Sequence, residues 1–331
     1  MSRRWPIAGL KLAVTAAVLA LLLSRLELAE VTALFRRVQA APLLMAVGLL
    51  AGSHLAVALA WRRLLAATGV AVPVEPVVRF YFSGLFLNNF FLGSLGGDSY
   101  RVWSVHRVTG AGRRALAATI LERLVGVITL LLLGALAALA WAGDPPVVYR
   151  AGLGGVCGAG AAIGLIILLA PGILEWLAAP FVHFARGRLR ERLQGVTGAL
   201  RQAGRPDAVL GVLLVVLAAQ GVRLWTHWWC ARALGIEVSA GALFLAVPLV
   251  AVAAGLPISV GGLGVREGSG VLLLTPLGIA QPEAVAMEFL AWLVGVATSL
   301  VGGLIFLTGR EGVPPAGSEL VQVTEEGRER G

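Results

Sequence analysis

Two short stretches hold the residue types best suited to chemistry. They are NNFFLGSLGGDSYR at 88–101 and GLPISVGGLGVR at 255–266. Each contains a glycine pair, Gly96-Gly97 or Gly261-Gly262. A serine, Ser94 or Ser259, precedes the pair by two residues, and an arginine, Arg101 or Arg266, follows its second glycine by four. Glycine allows positive φ and close backbone approach. A helix starting near Asp98, and another near Gly264, would aim free N–H groups and a positive dipole end at whatever lies between the stretches. A guanidinium fork suits phosphate and carboxylate oxygens. The chemistry these residues suggest is recognition of an anion.

Other polar residues belong to the same question. Asn88 and Asn89 can close a turn or line a cavity. Asp98 can cap its helix. Glu267 can pair with an arginine across the two stretches. Glu122 and Arg123 sit early in an apolar run, and neighbouring helical residues point about 100° apart, so they should have different partners. Arg223 interrupts another apolar run. A charge at mid-bilayer costs roughly 2.5–3.5 kcal/mol, so each such residue either pairs or lines a polar path. Two plainer explanations stand beside the anion site. The glycines can serve tight helix packing alone, and each arginine can neutralise a buried acid, Glu122 or Glu288. His54, alone on an apolar run, reads as a core histidine rather than a proton relay.

The elements that must position these residues are membrane helices. The 331 residues are 58% hydrophobic and only 14% charged, with a mean hydropathy of +0.87, whereas soluble domains are about one-quarter charged. The net charge of +9 does not indicate nucleic acid, because the basic residues sit between apolar runs rather than on one polar face. All of them except Lys11 are arginine. Cys157 and Cys230 lie in apolar runs without a motif, so neither a disulfide framework, a metal site nor a cofactor is expected. The N-terminal run lacks a small-residue cleavage site and reads as an uncleaved span.

Six runs approach the roughly 20 residues needed to cross a bilayer: 7–23, 41–60, 115–140, 151–172, 208–230 and 284–308. Residues 77–97 and 242–280 are apolar but broken by Asn88, Asn89, Pro257 and the glycine pairs. Interrupted backbone at membrane depth must be buried in protein or line a wet cavity, so both read as re-entrant hairpins. Arg3, Arg4 and Lys11 place the N-terminus in the cytoplasm. Arg62, Arg63 and Arg79 precede the first interruption, and Arg101, Arg107, Arg113 and Arg114 follow it. A hairpin keeps both groups on the cytoplasmic side, and the C-terminal tail then also lies inside. Residues 173–206 combine an apolar stripe (Leu189, Leu193, Val196, Leu200) with flanking arginines, the pattern of an interfacial helix.

The two interruptions belong to a repeat. Each half runs span, span, hairpin, span, and the second half starts from the opposite side. Gly69-Val70-Ala71-Val72 corresponds to Gly235-Ile236-Glu237-Val238, Glu122 to Glu288, and Leu124-Val125-Gly126-Val127 to Leu293-Val294-Gly295-Val296, all in the same order. The expected fold is an all-α membrane protein of about six full spans plus two hairpins, in two inverted repeats at about 1–140 and 151–309. A polar tail follows at 310–331. Inverted repeats with discontinuous helices place their sites near the midplane.

The pieces Trp61-Arg62-Arg63-Leu64-Leu65, Asn88-Asn89, Gly96-Gly97-Asp98 with Arg101, Glu122-Arg123-Leu124, and Leu256-Pro257 through Gly261-Gly262-Leu263-Gly264-Val265-Arg266-Glu267 carry a resemblance. The chain resembles the flippase-like integral membrane family named for the transmembrane region of lysylphosphatidylglycerol synthase. Leu92 stands where that family usually has proline before its glycine pair. The resemblance implies a polytopic protein of the cytoplasmic membrane that moves lipids or lipid-linked molecules between leaflets. About twenty polar residues follow Gly309, so the soluble aminoacyl-transferase domain of the full synthases, and an enzyme activity with it, is not expected.

The leading expectation is therefore transport of an anionic, phosphate-bearing lipid. The substrate site would draw on Arg101, Arg266, Arg123, Asn88, Asn89, Gly96, Gly97, Asp98, Ser259, Gly261, Gly262, Glu267 and Glu122. The partners are membrane lipids with anionic head groups. An intramembrane enzyme acting on polyprenyl phosphates would need clustered acids, histidines or metal ligands. A non-transporting accessory protein of envelope-lipid synthesis is the third possibility.

Overall fold

A computed structural model of the chain describes residues 28–90, 95–141, 147–169, 206–256, 259 and 261–308. The expected first span at 7–23, the interfacial helix at 173–206 apart from its last residue, Pro257 and the tail at 310–331 lie outside the described residues. Ten α-helices make up the described chain. They are α1 (Leu28–Arg36), α2 (Ala40–Ala67), α3 (Val74–Phe90), α4 (Leu95–Thr109), α5 (Gly112–Ala140), α6 (Val147–Leu169), α7 (Pro206–Ala233), α8 (Ala240–Gly255), α9 (Val265–Leu274) and α10 (Gln281–Leu307).

Five stretches are long and apolar enough to cross a membrane: α2, α5, α6, Val209–Ala233 of α7, and α10. They coincide with five of the six expected runs. Leu44, Leu139, Val148, Leu169, Leu304 and Leu307 on these helices are exposed, as a chain solvated by lipid requires. The protein is a polytopic all-α membrane protein. The sixth expected run, 7–23, precedes the described chain. Helix α1 has no counterpart among the expected runs: its Val31, Leu34 and Phe35 pack on the core, and Phe35 meets Phe289 of α10 edge-on.

The interrupted regions become pairs of shorter helices, α3 with α4 and α8 with α9. Local signals set their ends. Glu75 and Pro76 occupy the first turn of α3, where proline's missing N–H is harmless. Ser239 caps α8 by accepting from the Ala242 N–H at 3.2 Å. Glu283 accepts from the Ala280 N–H at the start of α10.

Helix pairing follows a regular order. α2 packs on α7. α3 packs on α4 and on α10, and α8 packs on α9 and on α5. α4 packs on α5 as α9 packs on α10. The helix ends at Gly69 and Gly235 match in detail, with φ of 76° and 73°. The following N–H of Val70 donates to Leu65, and that of Ile236 to Ala231, each at 2.9 Å. Glycine is required there because the helix turns into the left-handed region to satisfy its last carbonyls.

Candidate functional site

The first-half site grows from α4. Asp98 and Arg101 are three residues apart and share one helical face. Arg101 is buried, and its Nη2 donates to Glu122 Oε2 on α5 at 2.7 Å. Its Nη1 lies 3.5 Å from Asp98 Oδ1. Asp98 Oδ2 accepts from Arg123 on α5, at 2.7 Å from Nη2 and 2.9 Å from Nε. Glu122 and Arg123 thus face different partners, as adjacent helical positions must. The Arg101 guanidinium is sandwiched between aromatic rings, its ζ-carbon 4.1 Å from the Trp61 centroid and 4.5 Å from that of Tyr81. Two acids and two arginines close a neutral network, and the cation–π contacts replace lost hydration.

Close backbone approach makes this possible. A Cβ at Gly97 would overlap the Gly84 carbonyl and lie 2.7 Å from the Asn88 side chain. A Cβ at Gly84 would lie 2.8 Å from Arg101 Cγ. The Gly97 N–H donates to Asn88 Oδ1 at 2.8 Å, so Asn88 ties α3 to α4. Asn89 donates to Ser299 Oγ on α10 at 2.9 Å and so ties α3 to the other half.

The glycine pairs do different jobs. Gly96 and Gly97 lie inside α4 and have no positive φ. The expectation of a left-handed turn there is corrected: the helix begins at Leu95, and Gly97 is needed for space. Asp98 is accordingly not the cap of its helix but a first-turn residue engaged with Arg123. In the second half Gly261, Gly262 and Gly264 have φ of 61°, 78° and 81°. A Cβ at Gly262 would also lie 2.9 Å from the Ala254 carbonyl oxygen. There the glycines do form the turn that precedes the helix.

The second-half site differs in its charges. Glu267 is buried and accepts from the Gly264 N–H at 2.6 Å, so it caps its own helix rather than pairing across the stretches. Among the described residues its Oε1 has no hydrogen-bond partner, and neither does the buried Ser259 Oγ. Arg266 is half-buried. Among the described residues neither Arg266 nor Arg223 has a carboxylate within 4.0 Å. Glu288, the positional match of Glu122, is fully buried, and neither oxygen has a hydrogen-bond partner among the described residues. Its nearest ionisable contact is His227 Nε2, 3.7 Å from Oε2.

The halves meet electrostatically at Arg223. It lies within the reach of the Arg266, Arg123 and Glu288 charges and of the Tyr81 hydroxyl. Arg123 keeps 47% of its side chain exposed. Arg223 thus feels the charge of both Arg266 and Arg123, and of these three arginines Arg223 and Arg266 lack an acid within 4.0 Å among the described residues. Sequence reasoning does not single out Trp61, Tyr81 and Gly84 as parts of the site, nor His227. The signals are present as aromatic residues on α2 and α3 and as a histidine four positions after Arg223.

The family model for the lysylphosphatidylglycerol synthase TM region matches residues 9–307. The chain belongs to that family, whose members are membrane proteins involved in lipid handling. No curated protein and no solved structure matches it significantly.

Proposed function

We propose that this protein moves an anionic, phosphate-bearing lipid or lipid-linked molecule between the leaflets of the cytoplasmic membrane. The observation that carries the reading is the pair Arg223 and Arg266. Both sit within the helix bundle without a carboxylate within 4.0 Å among the described residues, while Arg101 is paired with Glu122 and lies near Asp98. Like charges gathered in a low-dielectric region repel strongly. A phosphate group offsets that repulsion and accepts from both guanidinium forks. Half-exposed Arg123 is the third donor. Arg101 is assigned to the framework that holds α4 against α5, not to the head group. An apolar groove of about 440 Å³, lined by Leu133, Trp141, Trp225 and Phe244, suits an acyl chain.

The matched helix pairings and the matching Gly69 and Gly235 ends support two inverted repeats. In this arrangement α3–α4 and α8–α9 are re-entrant hairpins, and both termini face the cytoplasm. The activity is transport rather than catalysis.

Reconstitution into liposomes with fluorescent phosphatidylglycerol tests the reading. Accelerated movement between leaflets, with the head group still attached, is expected. Release of the head group would instead indicate an intramembrane enzyme.

A further inference from the structure

Glu288 is a carboxyl group that the lipid site does not use. It is fully buried on α10, and among the described residues neither oxygen has a hydrogen-bond partner. Gly270 of α9 packs directly over it: a Cβ there would lie 2.8 Å from Glu288 Cγ. The imidazole of His227 on α7 stands on another side, with Nε2 3.7 Å from Oε2. The other ring nitrogen, Nδ1, lies 3.2 Å from the Arg223 carbonyl oxygen. A carbonyl oxygen only accepts, so Nδ1 carries the proton of that bond. In the neutral ring Nε2 is then a bare lone pair facing a carboxylate, and two acceptors would oppose each other. A single proton resolves the conflict. In so deeply buried a pair the neutral arrangement is favoured, so the proton sits on the carboxyl, which donates to Nε2.

We propose that Glu288 and His227 form a proton-binding site whose occupancy is linked to anion binding by Arg223 and Arg266. This rests on the lipid-transport reading for the identity of the anion. The groups acting on the Glu288 charge are Arg266 and Glu267 of α9 and Arg223 of α7, with the Cys230 thiol also on α7 within reach. With the lipid site empty, the two arginines favour the ionised carboxylate. A phosphate bound between them removes that bias and favours the proton. By reciprocity, the proton tightens anion binding. One proton per anion makes the linkage up to about tenfold in affinity per pH unit.

The test uses full-length protein in nanodiscs with short-chain phosphatidylglycerol as the probe. Infrared difference spectra across a pH titration should show a protonated-carboxyl stretch. Glu288→Gln should remove it, and His227→Asn should shift its frequency, because the acceptor has changed. Lipid affinity should rise as pH falls in the wild type and lose that dependence in Glu288→Gln. No such band in the wild type, or a band unaffected by both substitutions, overturns the proton site. Lipid binding with wild-type pH dependence in Glu288→Gln overturns the linkage. A Glu288-dependent band with no lipid binding at any pH overturns the lipid reading and leaves the proton site standing.

Discussion

Arg101 and Glu122 close a 2.7 Å ion pair between α4 and α5, and the positionally matching Arg266 and Glu288 are not within ion-pair distance of each other. A framework made of one satisfied half and one unsatisfied half separates residues that hold the protein together from residues free to hold something else.

The satisfied half should respond to mutation as structure. Arg101→Ala leaves Glu122 buried and unpaired, a loss of about 3–5 kcal/mol. Thermal unfolding in detergent and the yield of monodisperse protein should both fall. The double variant Arg101→Gln/Glu122→Gln should recover much of that loss, since no charge is then stranded. A single Arg101→Ala variant with wild-type stability would remove the framework role.

Arg123 offers a contrast on the same network. It is 47% exposed, so its pair with Asp98 should contribute no more than about 1 kcal/mol. Arg123→Ala should therefore unfold near the wild-type temperature while weakening lipid movement. Equal destabilisation by Arg123→Ala and Arg101→Ala would contradict the assignment.

The glycines should fail for different reasons. Gly97→Ala overlaps the Gly84 carbonyl and should disrupt the α3–α4 pairing even though its backbone is helical. Gly262→Ala meets both a φ of 78° and the Ala254 carbonyl, and left-handed strain alone is of order 1–3 kcal/mol. Asn88→Gly should rescue neither, because the Gly84 backbone carbonyl still blocks a Cβ at position 97. Both glycine variants with full yield and activity would show that neither approach is needed.

Much of this architecture is legible in the amino-acid sequence. Lipid imposes length and apolarity on spans, so the positions of α2, α5, α6, α7 and α10 follow from runs of apolar residues. The interruptions at 88–101 and 255–266 do mark pairs of shorter helices. Helical geometry alone separates the partners of Glu122 and Arg123. The partners themselves are not legible, because they come from packing between distant helices. Arg101 and Arg266 share an offset from Gly-Gly, yet one is sealed between Trp61 and Tyr81 and the other is not. Equal spacing also hides that Gly97 is helical and Gly262 left-handed. His227 does not stand out, because a single histidine on an apolar helix most often fills a core.

Topology follows from the arginines flanking α3–α4. Single cysteines placed at Arg63 and Arg113 in a chain lacking Cys157 and Cys230 should both resist membrane-impermeant labelling from outside. Labelling at Arg113 but not at Arg63 would mean that residues 77–97 cross the membrane completely.

The central claim is that Arg223 and Arg266 hold an anionic head group. The most direct measurement is leaflet exchange of labelled phosphatidylglycerol against labelled phosphatidylcholine in liposomes, for the wild type and an Arg223→Ala/Arg266→Ala variant of matched folding. The wild type should accelerate the anionic probe selectively. The double variant should lose at least about tenfold, the equivalent of roughly 1.4 kcal/mol, with unfolding unchanged. Undiminished anionic transport by the well-folded double variant would contradict the account.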